Sequence, residues 1–136
     1  MHHHPPMPND AGLNRYDIIA FVNIVDADRA KHFYRDVLGL RLAEEALPFA
    51  LVFDAHGTML RLSITQKHSP LPGTVLGWHV PDITAVVRDL KSAGVQLERF
   101  EGMNQDELGI WSSPSGAKVA WFKDPDGNML SVSQHP

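Results

Sequence analysis

The chain has no cysteine. Disulfides, thiolate metal sites and a cysteine nucleophile are thereby excluded, and the composition suits the reducing cytoplasm where the protein is expected to reside. Long apolar runs are missing too. None approaches the roughly 20 residues that a membrane span requires, so no membrane insertion is expected. Basic residues do not cluster: 12 Lys and Arg stand against 16 Asp and Glu, for a net charge of −4. Without a basic stripe, nucleic acid is not an expected partner. The opening Met1-His-His-His-Pro-Pro lacks the apolar core of a secretory signal. Residues 1–14 are read as a disordered N-terminal tail, either a tag remnant or native.

What remains is ordinary for a globular domain, with 43% hydrophobic and 21% charged residues in 136. That length suffices for one core, not two. Within it lies a repeat. Asp124-Pro-Asp-Gly-Asn-Met-Leu-Ser-Val-Ser133 echoes Asp54-Ala-His-Gly-Thr-Met-Leu-Arg-Leu-Ser63 at a distance of 70 residues. In both copies Asp opens and Gly stands fourth, which predicts a type I turn with a glycine bulge. The residues after each Gly alternate as in a half-buried strand. Leu60 and Leu62 share one face and Met59, Arg61 and Ser63 the other; Leu130 and Val132 oppose Met129, Ser131 and Ser133 in the same way.

The rest of the chain falls into two parallel sets. Tyr16 to Val25 reads as a strand, and Asp26 caps a short helix whose apolar positions are Ala30, Phe33, Tyr34, Val37 and Leu38, stopped by Gly39. Leu40–Glu45, Phe49–Phe53 and Met59–Thr65 follow as strands. Beyond the linker Ser69–Gly73 the order restarts with strand Val75–Val80, a helix capped by Asp82 and ended by Gly94, and extended segments 95–100, 109–112, 117–123 and 129–133. Asp82 follows Asp26 by 56 residues, so about 14 residues are inserted before the second turn, within Glu101–Gly116. A loop lengthened in only one unit suggests the rim of a site.

Two βαβββ units, the Phe33-Tyr34 and Val37-Leu38-Gly39-Leu40 sequences, and the closing Asp124-Pro-Asp-Gly-Asn resemble the vicinal oxygen chelate superfamily of glyoxalases, bleomycin-resistance proteins and extradiol dioxygenases. The resemblance covers Tyr16 to Gln134. It implies an α+β fold of two tandem βαβββ modules, here 15–68 and 74–135 of a single domain 15–135. Their mixed sheets would curve into a cup with helices outside and ligand inside, in a protein that forms homodimers. It also implies a divalent metal held by four His or Glu residues from the first and last strands of the modules. Those positions fall on Ile19, Arg61, Val75 and Ser131. Hydrocarbon, hydroxyl and a permanent cation cannot replace imidazole or carboxylate donors. No metal and no other cofactor is therefore expected.

Arg61 leads the remaining candidates. Pointing into the cup, its planar fork suits a carboxylate, phosphate or enolate oxygen; otherwise it pairs with Asp106 or Glu107 or reaches solvent. Asn23 and His79 occupy equivalent positions in the two first strands, where an amide and an imidazole facing each other would orient a polar ligand or exchange protons. Trp121 is expected to pair with Ser131 and face the cup. Trp111, on the inserted segment, would close over a flat ligand, while Phe21, Met59 and Met129 give apolar walls. Each of these is equally at home as plain packing. His32, His56, His68 and His135 read as surface residues.

The expected function is that of a small-molecule binding protein without metal, with Arg61, Ser131, Asn23, His79, Phe21, Met59, Trp111 and Trp121 lining the site. Catalysis stays open. The alternatives are a lyase, isomerase or dioxygenase using unusual metal ligands, a metal-free enzyme using His79 or the Asp106-Glu107 pair with Arg61 as oxyanion stabiliser, and a plain interaction module.

Overall fold

A computed structural model describes residues 4–8 and 10–136; His2 and His3 of the tail lie outside the described residues. A single 3-10 turn, Leu13–Arg15, precedes strand β1, Ile19–Ile24. Helix α1, Ala27–Lys31, starts where the Asp26 carboxylate accepts the Arg29 N–H, and it widens into a π-helical segment, His32–Val37. The Leu38 N–H reaches back to the Phe33 carbonyl, and Gly39 turns the chain out with φ +76°. Strands β2 (Arg41–Ala46), β3 (Ala50–Ala55) and β4 (Thr58–Ile64) complete the first module.

The second module repeats this with β5 (Thr74–His79), α2 (Ile83–Ser92, capped by Asp82), β6 (Trp111–Ser112), β7 (Lys118–Lys123) and β8 (Met129–Gln134). The modules form sheets of order β1-β4-β3-β2 and β5-β8-β7-β6, each with its first strand parallel to its last. The two-module βαβββ architecture is as the repeat predicts, with the sheets left open.

Two local expectations are corrected. The first turn is not a type I turn with a bulge. Ala55 pairs with Thr58, leaving a two-residue loop of His56 at φ +52° and Gly57 at φ +90°, a type I′ hairpin. The second turn is the longer kind expected: the Gly127 N–H bonds the Asp124 carbonyl, and the Asp124 N–H bonds the Asn128 carbonyl. Segment 95–100 is also not a continuous strand. Leu97 makes one bridge to Phe122 and the Glu98 N–H bonds the Trp121 carbonyl; the chain then leaves the sheet and returns only at β6. The insertion splits the edge strand instead of following it.

One core serves both modules. Ile24, Tyr34, Leu51, Phe53, Leu60 and Leu62 are continuous with Ile83, Val87, Phe122, Leu130 and Val132. Each such buried side chain contributes about 1.5–3 kcal/mol relative to exposure. The modules therefore pair within the chain.

A polar staple fixes that pairing. The buried Asp124 carboxylate accepts the Tyr34 hydroxyl at 2.7 Å, the Asn128 side-chain amide at 2.9 Å, and the backbone N–H groups of Asp126 and Asn128. Asn128 also donates to the Asn23 carbonyl and accepts from His68 Nε2 at 2.6 Å. His68 is thus a half-buried member of the module junction, not the surface residue expected from its place in the linker. Nearby, Asp126 accepts from the Val25 N–H and the Arg29 guanidinium.

Candidate functional site

Strand alternation assigns the cup face. With Val22, Ile24, Leu60 and Leu62 in the core, Ile19, Phe21, Asn23, Met59, Arg61 and Ser63 stand on the opposite face. In the second sheet Leu130, Val132, Ala120 and Phe122 are buried, which leaves Met129, Ser131, Ser133, Val119 and Trp121 on the cup side.

The register sets the centre of the cup. Val52, Arg61 and Phe21 lie side by side across β3, β4 and β1, and Trp121, Ser131 and Gly77 do so across β7, β8 and β5. Arg61 thus adjoins Phe21, while Ile19 adjoins Met59. Val75 sits at an irregularity in β5, and Gly77 adjoins Ser131. Whether the first-strand positions are Ile19 and Val75 or their neighbours Phe21 and Gly77, they offer no metal donor. Among the described residues no group of three or more His, Cys, Asp or Glu side chains is placed to hold an ion.

Arg61 is half-buried and makes no hydrogen bond or ion pair among the described residues. The intramolecular partners considered for it are engaged elsewhere or exposed. Asp106 Oδ1 accepts the backbone N–H groups of Leu108 and Ile110, closing its own loop, and Glu107 is exposed. On the neighbouring strands β2 and β3, Arg41 and Asp54 hold each other at 2.8 Å. The Arg41 hydrogen bond, followed by that from the Gly57 N–H, keeps the Asp54 carboxyl below its ordinary range, so this nearby acid is already matched.

The second sheet carries an aromatic cluster beside its own cup-side residues. The Trp111 ring lies 6.2 Å from that of Trp121, and Phe100 meets Trp121 edge-on at 5.4 Å. All three are half-buried. The inserted loop holds the wall through Gln105, whose amide donates to the Glu98 and Gly109 carbonyls and accepts the Phe100 N–H. The floor is exposed and apolar: Phe21 is 62% exposed, and Ile19 and Met59 are 44% exposed each. Phe100 and Gly77 escaped the sequence reading. Gly77 could have been found, because it follows Phe21 by the same 56 residues that relate the helix caps.

Asn23 and His79 do not face one another. Asn23 lies with Phe21, Val75 and Asn128 in one cleft, whereas His79 lies with Ala20 and Trp78 in another, so they stand at opposite ends of the β1–β5 junction. The His79 ring packs edge-on against His135 at 5.1 Å.

The family model of the Glyoxalase/Bleomycin resistance protein/Dioxygenase superfamily matches residues 13–132. The chain belongs to that superfamily. Solved members share its fold. A lactoylglutathione lyase from Agrobacterium tumefaciens is 20% identical, with a TM-score of 0.67 over 86% of this chain and 92% of its own. A superfamily member from Sphaerobacter thermophilus is 21% identical, with a TM-score of 0.67 over 88% and 97%. A glyoxalase/bleomycin resistance protein/dioxygenase from Alicyclobacillus acidocaldarius is 19% identical, with a TM-score of 0.65 over 88% and 91%. Identities this low speak to the fold alone. No curated protein matches the chain. Among the described residues of this superfamily member, no helix is long and apolar enough to cross a membrane.

Proposed function

We propose that this superfamily member binds a small molecule in its cup without a metal, with Arg61 meeting an anionic or strongly polar group. The observation that carries the reading is the half-buried Arg61 guanidinium with no partner among the described residues. Partial burial weakens its hydration, and a carboxylate or enolate oxygen restores what is lost through two parallel hydrogen bonds. Phe21 and Met59 supply apolar contact beside it. Ser131 offers a hydroxyl opposite, and the Phe100-Trp111-Trp121 wall favours a flat body. Asn23 and His79 stand at the two ends, as selectors of ligand length. The protein acts in the cytoplasm as a homodimer. Apolar exposure at Ile18, Phe21 and Phe49 supports a second subunit near the cup.

A thermal-shift screen with short and aromatic carboxylic acids tests the reading, using protein freed of its histidine-rich tail and dialysed against chelator. Stabilisation that Arg61→Ala abolishes is the expected result. Equal shifts in both proteins remove Arg61 from the site.

Turnover through a metal-free route is the second reading, and one observation favours it: His79 is exposed on the end of β5, within a cleft. His79→Ala that binds ligand as before but loses turnover supports this route. Unchanged turnover removes it.

A further inference from the structure

The two hairpin turns are related by the repeat, yet their surroundings differ. At the second turn, the cleft beside β1 is lined by linker residues His68, Ser69 and Leu71 together with Asn128, and Gly127 lies so close to Pro70 that an added Cβ would come within 2.9 Å of its Cγ. The linker and the staple occupy that side. At the first turn the corresponding cleft, beside β5, stays open with a volume of about 560 Å³. Its walls include Ala20, Leu40, Leu60, Leu76, Trp78 and Val80, with His56 and Thr58 at the turn. Leu40, Trp78 and Val80 also wall an adjoining open pocket of about 230 Å³ reaching Phe122. This volume suits a small organic ligand.

His56 gives a second, independent observation. The first loop position of a type I′ turn demands positive φ, which Asn, Asp and Gly accept most readily. Here a histidine holds φ +52°. Histidine accepts this conformation more readily than most residues other than glycine, and the turn thereby holds the imidazole at the mouth of the open cleft.

We propose that this cleft, which runs along the core-side residues Leu76 and Trp78 of β5 and Val80 just beyond it and meets the cup only at Gly77 and His79, is a second ligand site for a neutral flat aromatic molecule carrying an amide or lactam. The apolar walls and the Trp78 indole, stacked on Phe122 at 6.5 Å and 15°, take the ring system. No Asp, Glu, Lys or Arg lines the cleft, so nothing there compensates a full charge. The polar head meets donors and acceptors together. β5 has a strand neighbour on one edge only, β8, so backbone N–H and C=O groups along its other edge are open to the cleft. The His56 and His79 imidazoles and the Thr58 hydroxyl can each donate and accept. A group that both donates and accepts, such as a carboxamide, complements this set.

The three tryptophans make the test direct. Trp78 lies in the cleft, while Trp111 and Trp121 lie on the cup wall. Naphthalene-2-carboxamide is titrated into the full chain while the three indole N–H signals are followed by NMR, each assigned by its Trp→Phe variant. The proposal expects saturable movement of the Trp78 signal with Trp111 and Trp121 unmoved, a Kd raised at least fivefold in His56→Gly, and no change in Arg61→Ala. His56→Gly suits the turn, so loss of binding there is not loss of fold. Movement confined to Trp111 and Trp121, no saturable movement at millimolar ligand, or equal binding by His56→Gly would each overturn it. None of these results depends on whether the cup binds acids.

Discussion

The Tyr34 hydroxyl donates to the Asp124 carboxylate at 2.7 Å, joining the π-helical segment of the first module to the turn of the second across 90 residues of sequence. The bond is buried and charge-assisted. Burial, then the Asp124 charge, raises the Tyr34 pKa well above its ordinary value. Tyr34→Phe leaves Asp124 one donor short in the core, and chemical denaturation should show a loss of about 1.5–3 kcal/mol.

The same bond predicts a pH dependence. The folded pKa lies above the unfolded one, so native Tyr34 keeps its proton while the unfolded chain begins to lose it above pH of about 10. The stabilisation is complete below that pH and declines as pH rises further, by up to about 1.4 kcal/mol per pH unit. Melting curves should therefore separate wild type from Tyr34→Phe by a constant margin from pH 7 to 9. The margin should narrow above pH 10.

Gly77 and Ser131 form a coupled pair at the centre of the cup. A Cβ on Gly77 would stand 2.8 Å from Ser131 Oγ, so Gly77→Ala forces that hydroxyl to turn away. Ser131→Ala removes the obstacle. The cost of Gly77→Ala should fall in the Ser131→Ala background, giving a coupling of about 0.5–1 kcal/mol in a double-mutant cycle.

Gln105 is predicted to hold the aromatic wall from behind. Replacement by Ala strands the Glu98 and Gly109 carbonyls and the Phe100 N–H, three backbone groups now satisfied by one side chain. The inserted loop should become the first site of proteolytic cleavage, while the core strands keep their hydrogen-exchange protection.

The His56-Gly57 turn is open to improvement. His56→Asn puts a residue at ease with positive φ in the first loop position, and a gain of about 0.5–1 kcal/mol is expected from thermal melts.

Much of this architecture was legible because it repeats. Offsets of 56 and 70 residues place both capped helices and both closing hairpins, and alternation around Leu60 and Leu130 assigns the faces of β4 and β8. Other features carry no local signal. His68 looks like any linker histidine until folding brings Asn128, 60 residues away, within 2.6 Å. The type I′ turn was missed because Asp54 and Gly57 match the longer second turn position for position, and only the pairing of Ala55 with Thr58 shortens the first loop to two residues. The split edge strand was missed because Val95–Phe100 has the composition of a strand, and only the insertion behind it decides how far pairing extends. At the site, Arg61 and Trp121 could be assigned a face from alternation. The wall formed with Phe100 and Trp111 required the path of the loop.

Under the proposed function, the cup grips its ligand through the Arg61 guanidinium in place of a metal. Calorimetric titration of chelator-treated, tail-free protein with the acid giving the largest thermal shift tests this most directly. The prediction is an affinity unchanged by chelator treatment and weakened at least tenfold, about 1.4 kcal/mol, in Arg61→Ala. Binding that vanishes with chelator and returns on adding a divalent cation, or that is equal in wild type and Arg61→Ala, would contradict it.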